Sequence, residues 1–246
     1  MKSVVYLLPH QDDEIFALPI ILRYKDYEHI FLLLTNGTDK HKSAKSLTRN
    51  SEFCKSLEIL KKFGIKSQFF AFGTEHCIRD GYLHADFSKD CYTQLLKQFE
   101  FLEPHIFIAP CYEGGHQDHD AAAQIAEGYS RKLGSELLFF STYRSASRFF
   151  PFFSTMNPPN KSGKIDSSRI FVSALALRLI VNYRSQFRTF MGLGLPILYN
   201  YLFRNSYTAI SPQIEYSDPH LYEQRRKAET RLVTANLQLI QAYFEE

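Results

Sequence analysis

The chain has 246 residues, with 29 Lys and Arg against 26 Asp and Glu, and a formal net charge of +3 at pH 7. This length is enough for one large domain with a sizeable core. Nothing in the nearly balanced charge suggests the basic face that nucleic-acid binding requires, so we expect no nucleic-acid partner. Hydrophobic residues make up 45% of the chain and charged residues 22%, which is typical of globular proteins.

Cysteine usage and apolar runs bear on the compartment. Four cysteines are spread along the chain without a C-x-x-C pair, as expected for reduced thiols in a cytoplasmic protein. The N-terminal apolar run meets Pro9 and two acids before a secretory segment is complete. The longest later apolar run, residues 190–203, contains Gly, Pro and Asn and is too short for a transmembrane helix. We therefore expect a cytoplasmic protein without a transmembrane segment; the oligomeric state is left open.

The first part of the chain alternates between two hydrophobic patterns. Short continuous apolar runs predict buried strands at 3–8, 29–35, 68–72, 105–109 and 137–140. Apolar residues at helical spacing predict helices at 14–25, 46–63, 88–101, with Ser88 as N-cap, and 118–133. This alternation predicts an α/β fold, namely a Rossmann-like, doubly wound, mostly parallel sheet with helices on both faces.

The pattern changes after residue 143. We expect a single domain over residues 1–246, with a core at 1–143, a variable cap or insertion region at 144–220 and a C-terminal helix at 221–246. Within the variable region, 145–168 is typical of a long loop, and 170–187 of a strand or helix leading into a helix. The Phe-rich segments 149–153 and 190–203 are compatible with core packing, with a lid or with a lipid-facing surface.

A cluster of polar residues directly follows the first predicted strand. It comprises His10, Asp12, Asp13 and Glu14. One interpretation is a helix start, with Asp12 or Asp13 as N-cap and Glu14 interacting favourably with the helix dipole. The other interpretation is a chemical site at the carboxyl end of a strand.

A second cluster follows the fourth predicted strand. Its polar residues are His116, Asp118, His119 and Asp120, preceded by two glycines. A helix start is again one interpretation, but the dipole at a helix N-terminus disfavours protonated histidine. A neutral imidazole bound to a metal removes that objection. In the common doubly wound order, strands one and four are neighbours, so both clusters open into one cleft. Two His and one Asp form a familiar catalytic zinc set, although Fe²⁺ accepts the same ligands.

The motif H-x-D-D-E after the first strand, with H-x-D-H after the fourth, resembles the LmbE-like, or PIG-L, family of metal-dependent N-deacetylases. By that resemblance, His10, Asp13 and His119 are the metal ligands. Asp12 is implied as the general base acting on water, and His116 as the group that stabilises the oxyanion or protonates the leaving amine.

The resemblance also implies supporting and substrate-binding residues. Asp118 orients His116, and Glu14 lies behind the ligands. By the same resemblance, Arg49, in an R-x-x-E segment, reaches a substrate hydroxyl or phosphate, and Asp80, before Gly81, contacts the sugar. For Arg49 the alternative is an ion pair with a nearby Glu on the helix surface. For Asp80 the alternative is an ordinary turn aspartate.

The sequence departs from the family pattern at three positions. Gln11 and Gln117 replace prolines of the commonest motifs, so we expect less rigid loops there. Tyr183 stands where many members have His, which leaves a substrate-side imidazole in doubt. Its alternative is a core aromatic residue.

The resemblance implies a zinc-dependent hydrolase that removes the N-acetyl group from an N-acetylglucosamine-type amino sugar, nucleotide sugar or glycolipid and releases acetate. One alternative is a metallohydrolase acting on a different amide, in thiol or antibiotic biosynthesis. Another is a non-catalytic carbohydrate-binding module, which the fold alone would allow. Asp12 and His116 argue against that module, because binding alone does not need a base and an acid beside the metal.

Overall fold

The computed structural model describes residues 2–41, 44–143, 155–156, 164–165, 169–203, 206–209 and 227–245. Strands β1 to β7 cover, in order, Ser3–Leu8, Glu28–Leu33, Ser67–Phe70, Ile106–Pro110, Glu136–Phe140, Lys164–Ile165 and Ser206–Ala209. Helices α1 to α9 cover Glu14–Arg23, Ala44–Lys61, Phe72–Glu75, Leu83–Asp86, Lys89–Leu102, Gln117–Leu133, Arg169–Asn182, Phe187–Phe203 and Lys227–Ala242. A 3₁₀ turn, Arg184–Gln186, joins α7 to α8.

The strands form one sheet in the order β3-β2-β1-β4-β5-β7-β6. The first five strands pair in parallel, and β1 lies between β2 and β4. The predicted doubly wound, mostly parallel sheet is therefore confirmed, and β1 and β4 are neighbours as expected. The sheet continues beyond β5 through two antiparallel strands, β7 and β6, which the sequence pattern did not indicate.

Helices cover both faces of the sheet, as predicted. Successive side chains of a strand point to opposite faces, so Tyr6 and Leu8 pack in a layer with α1, α2, α7 and α8. Val5 and Leu7 pack in the opposite layer, with α5, α6 and α9. Because both faces are covered, β1 is buried along its whole length, which explains its unbroken apolar sequence.

Most predicted elements lie where their patterns placed them. Ser88 caps α5 by accepting a hydrogen bond from the backbone N–H of Cys91 at 3.2 Å. The single-turn helices α3 and α4 were not predicted, because four residues are too few to show a helical period. Residues 190–203 belong to α8, which contains Pro196. The Phe-rich segment 149–153 lies outside the described residues, and the role of 144–220 as a cap stays a prediction. No helix in the described chain has the length and apolar character needed to cross a membrane.

A buried histidine at the start of β2 makes folding sensitive to pH. His29 is fully buried; its Nε2 lies 3.0 Å from the carbonyl oxygen of Tyr24 and its Nδ1 lies 2.9 Å from the Tyr6 hydroxyl. A neutral ring satisfies both contacts by donating from Nε2 and accepting at Nδ1. Burial lowers the pKa of His29 to about 4.

We expect this histidine to destabilise the protein in mild acid. Its pKa is lower in the folded chain than the ordinary 6.5, so the unfolded chain binds more protons between these values. Its stabilising contribution is complete above pH 6.5 and is lost as the pH falls toward 4. The expected loss from this group between pH 8 and pH 5 is about 2 kcal/mol. Urea unfolding at both pH values should show the loss in wild type and a smaller loss in His29→Gln. An equal loss in the two proteins would contradict the assignment.

Candidate metal centre and active site

The turn after β1 directs a carboxylate toward two imidazoles. Asp13 occupies the N-cap position of α1, yet its side chain makes no capping hydrogen bond. Its Oδ2 instead accepts from the backbone N–H of His10 at 2.8 Å, and its Oδ1 lies 3.1 Å from His119 Nε2. Asp13 is therefore the N-cap residue by position, as one interpretation had it, but its side chain does not cap the helix.

The turn after β4 is also capped in an unusual way. His116 is the N-cap residue of α6, and its Nδ1 accepts from the backbone N–H of Asp118 at 3.2 Å. The Asp118 carboxylate is left to accept from the backbone N–H groups of Gly81 at 2.6 Å and Leu83 at 2.9 Å. Its Oδ2 also lies 3.3 Å from His10 Nε2. Asp118 thus joins both clusters to the loop that precedes α4.

Three residues from the two clusters form a compact donor set. His10, Asp13 and His119 each offer an atom within 4.8 Å of the others, and all three are buried. The second nitrogen of His119, Nδ1, lies 2.9 Å from Thr142 Oγ1. A hydrogen bond at that nitrogen fixes the ring and its tautomer, which is how proteins commonly orient histidine ligands.

This donor set fits a divalent cation. It combines two imidazoles with one carboxylate, which is a catalytic zinc set. A buried carboxylate is costly without a compensating charge, and the described donors of the set are close enough to share one ion. A second group, His10, Asp80, His116 and Asp118, overlaps with the first at His10. Because the two groups share a histidine, we treat them as parts of one site.

A buried arginine organises the acidic rim of the site. Arg49, from α2, donates to Asp12 Oδ1 at 2.8 Å through Nη2, and through Nη1 to Asp80 Oδ2 at 3.2 Å. Nη1 also donates to the carbonyl oxygen of Gly37 at 2.9 Å. The alternative of an exposed pair with a Glu is therefore wrong for Arg49. Asp80 is likewise more than a turn residue, because its Oδ1 lies 3.3 Å from His10 Nε2.

Behind the ligands lies a buried acid. Glu14 Oε1 accepts from the hydroxyls of Ser56 and Tyr183, both at 2.5 Å. Burial raises the pKa of Glu14 to about 8, although these two hydrogen bonds work against it. Tyr183 is therefore a core aromatic residue, as the alternative proposed. Its hydroxyl also ties the turn after α7 to the first turn of α1.

The two adjacent aspartates of the first cluster have pKa shifts in opposite directions. Burial acts to raise the pKa of Asp13, but the rings of His119 and His10 outweigh it and hold this pKa well below its ordinary value. Burial raises the pKa of Asp12, and the nearby Arg49 only partly offsets this. Burial and the neighbouring His10 lower the pKa of His116 to about 4. Neighbouring residues therefore differ in their tendency to hold a proton.

The two glutamines that replace family prolines, Gln11 and Gln117, both donate hydrogen bonds through their side-chain amides. Gln11 is fully buried, and its amide donates to Asn50 Oδ1 at 3.0 Å. The Gln117 amide donates to the carbonyl oxygen of Gly81. Both side chains therefore hold their loops against neighbouring elements, by contacts that proline could not make.

Several contributing residues were missed from the sequence. Thr142, which contacts His119, follows β5, and its backbone N–H donates to Glu113 Oε1 at 2.8 Å. Gly115 passes so close to the segment that follows β5 that a Cβ there would lie 1.8 Å from the carbonyl oxygen of Tyr143. The sequence signal that could have indicated Thr142 is that it is a polar residue close after β5, the strand that pairs with β4.

The family model of PIG-L, described as GlcNAc-PI de-N-acetylase, matches residues 5–129, which is half of the chain and includes both motif clusters. No curated protein sequence gives a significant match.

Several solved structures, deacetylases among them, share the fold. A triple mutant of the deacetylase of the teicoplanin biosynthetic pathway has a TM-score of 0.61 at 12% identity, covering 87% of this chain and 100% of its own. The zinc-inhibited form of teicoplanin deacetylase Orf2 has a TM-score of 0.59 at 12% identity, with 86% and 100% covered. A conserved protein from Thermus thermophilus has a TM-score of 0.54 at 21% identity, with 89% and 98% covered. The family match, the fold and the two motif clusters agree: the chain belongs to the PIG-L family of deacetylases.

Proposed function

We propose that this protein is a zinc-dependent N-deacetylase that hydrolyses the acetamide of an N-acetylglucosamine-type amino sugar or glycoconjugate. The observation that carries the proposal is the buried set of His10, Asp13 and His119, with a carboxylate and a third imidazole at its margin. The His116 ring centroid lies 4.8 Å from that of His10 and 5.3 Å from that of His119. Fe²⁺ is the second choice of metal for the same ligands.

Amide hydrolysis needs an activated water, a polarised carbonyl and a proton donor for the leaving nitrogen. His10, Asp13 and His119 would hold a divalent metal, and when bound it would supply polarisation of the carbonyl and a lower pKa for water. Asp12 accepts a proton from the attacking water. The Asp12 side chain is held in place by the hydrogen bond that Arg49 donates to it. His116 stabilises the developing oxyanion or passes a proton to the leaving nitrogen, and Asp118 orients it through its backbone N–H, which donates to His116 Nδ1. Water adds to the carbonyl carbon, the C–N bond breaks, and acetate and the free amine leave.

The proposal also assigns roles to the remaining polar residues. Arg49 and Asp80, linked to each other and to the rim of the site, are proposed to contact sugar hydroxyls. Glu14 supports the ligand-bearing turn from behind. Residues 144–220 are proposed to contribute a substrate cap, because the family match ends before them.

The first prediction concerns metal binding. Asp13→Asn and His119→Gln should lose bound metal, because each removes a ligand while keeping a polar side chain of similar size. Thr142→Val should weaken metal affinity by about 10–100-fold, since it removes only the contact to His119. The metal content of all three variants after dialysis, measured by mass spectrometry, checks the loss of metal and the weakened affinity. His105→Ala, at an exposed position, is the control. Unchanged metal content in Asp13→Asn and His119→Gln would refute the ligand set.

The second prediction concerns the general base. Asp12→Asn should lower kcat by about 10²–10⁴-fold, because Asn cannot accept the proton. It should still retain metal and accept the hydrogen bond from Arg49. The matched control is Asp26→Asn, at an exposed position. Full activity in Asp12→Asn would show that another group is the base.

The third prediction concerns the substrate class. Acetate release should be found with N-acetylglucosamine, a nucleotide sugar carrying it, or a glycolipid carrying it, and not with N-acetyl amino acids. Release should require added metal and fail in the Asp12→Asn protein. Release from a non-sugar amide alone would favour the alternative metallohydrolase. Sugar binding without acetate release from any of these compounds would favour a binding module.

A further inference from the structure

The α7–α8 hairpin presents an apolar outer face. The described chain has fifteen exposed large apolar residues, and ten of them lie within residues 169–203. Those on α8 recur every three or four positions, which places them on one side of the helix. They are Phe187, Met191, Leu195, Tyr199, Leu202 and Phe203. Four residues of α7, which packs against α8, are exposed as well: Ile170, Phe171, Leu177 and Val181.

This face is not an incompletely packed core. The opposite side of α8 is buried, where Phe190, Ile197 and Tyr201 join the layer that covers the sheet. On the outer side, Met191 and Leu195 remain 68% and 67% exposed. Single exposed apolar residues are normal, whereas a contiguous set marks an interaction surface.

The charge of this region has one sign. Between Asp166 and Glu215 the sequence has no acidic residue and five arginines. Arg178, Arg184 and Arg188, within the described hairpin, are exposed. An apolar helical face flanked by arginines is typical of segments that lie in the interfacial layer of an anionic membrane.

A cleft lies at the turn between the two helices. It has a volume of about 380 Å³, and Lys55, Arg178 and Arg184 are among its lining residues, together with Val181 of the apolar face. Glu52 also lines the cleft. Its carboxylate accepts hydrogen bonds from the Ser185 backbone N–H at 2.9 Å and from the Ser185 hydroxyl at 2.6 Å. Three cationic side chains around one cleft suit a phosphate group.

We propose that the outer face of α7 and α8 docks on the surface of an anionic phospholipid bilayer. The apolar side chains enter the boundary between headgroups and acyl chains, and the cleft lined by Lys55, Arg178 and Arg184 receives a lipid phosphate. The hairpin lies on the membrane and does not cross it.

The charges favour this occupant over a second copy of the chain. A symmetric dimer through this face would place the same surface on both partners. Arginines would then face arginines without an acid from α7 or α8 to pair with them, and like charges across an interface are costly. An anionic bilayer complements both the apolar side chains and the arginines.

Vesicle flotation of the full, metal-loaded protein tests the proposal without any substrate, so the result does not depend on deacetylase activity. The protein should float with vesicles of phosphatidylcholine and phosphatidylglycerol and not with phosphatidylcholine alone. Binding should weaken with added salt, because salt screens the charges. Arg178→Glu with Arg184→Glu should weaken binding more than tenfold, since each lost arginine removes a factor of about five. Met191→Ser with Leu195→Ser should also weaken binding to the anionic vesicles, because it removes apolar side chains that enter the bilayer.

Matched controls separate this face from general effects of charge and apolarity. Lys66→Glu with Lys97→Glu changes the same charge at exposed positions elsewhere, and Phe101→Ser with Leu239→Ser removes two exposed apolar side chains elsewhere. Both control proteins should float like wild type. The proposal is overturned if wild type does not bind anionic vesicles, or if both hairpin variants bind them as well as the controls do. Sedimentation that shows a wild-type dimer lost in Met191→Ser with Leu195→Ser, without vesicle binding, would assign the face to a second copy.

Discussion

The contact of one buried carboxylate with two imidazoles is the constraint on which the site depends. Asp13 lies against His10 from its own turn and against His119 from a turn more than a hundred residues later. The fold allows this contact because β1 and β4 are adjacent parallel strands. The turns that follow them therefore lie at the same edge of the sheet. The remaining features of the site serve to keep these three side chains buried and mutually oriented.

Burying so many acids requires compensation, and the chain supplies it in three ways. Backbone N–H groups donate hydrogen bonds to the carboxylates of Asp118 and Asp120, and the two donors to Asp120 belong to its own loop. Arg49 serves Asp12 and Asp80 with one guanidinium. Hydroxyls serve Glu14. Each arrangement replaces the hydration that a buried polar group loses, so the acidic site and the surrounding loops have to fold together.

The sequence predicted the parallel sheet because buried strands have unbroken apolar runs, and it located both clusters because they directly follow such strands. It could not decide whether Asp13 caps a helix, since that depends on where the side chain turns. Nor could it show that Arg49 is buried between two aspartates instead of paired on a helix surface. Thr142 was missed because a lone Thr after a strand has many ordinary uses. The antiparallel β7 was missed because four residues of mixed polarity carry no clear period.

The close approach of Gly115 to the Tyr143 carbonyl has a consequence for how this site can diverge. Even one methyl group at this position would collide with backbone, which cannot rotate away as a side chain can. The two loops are therefore locked at a fixed separation on this side of the cleft. Natural variants or laboratory libraries that seek a different substrate must therefore leave this position as glycine and change other residues.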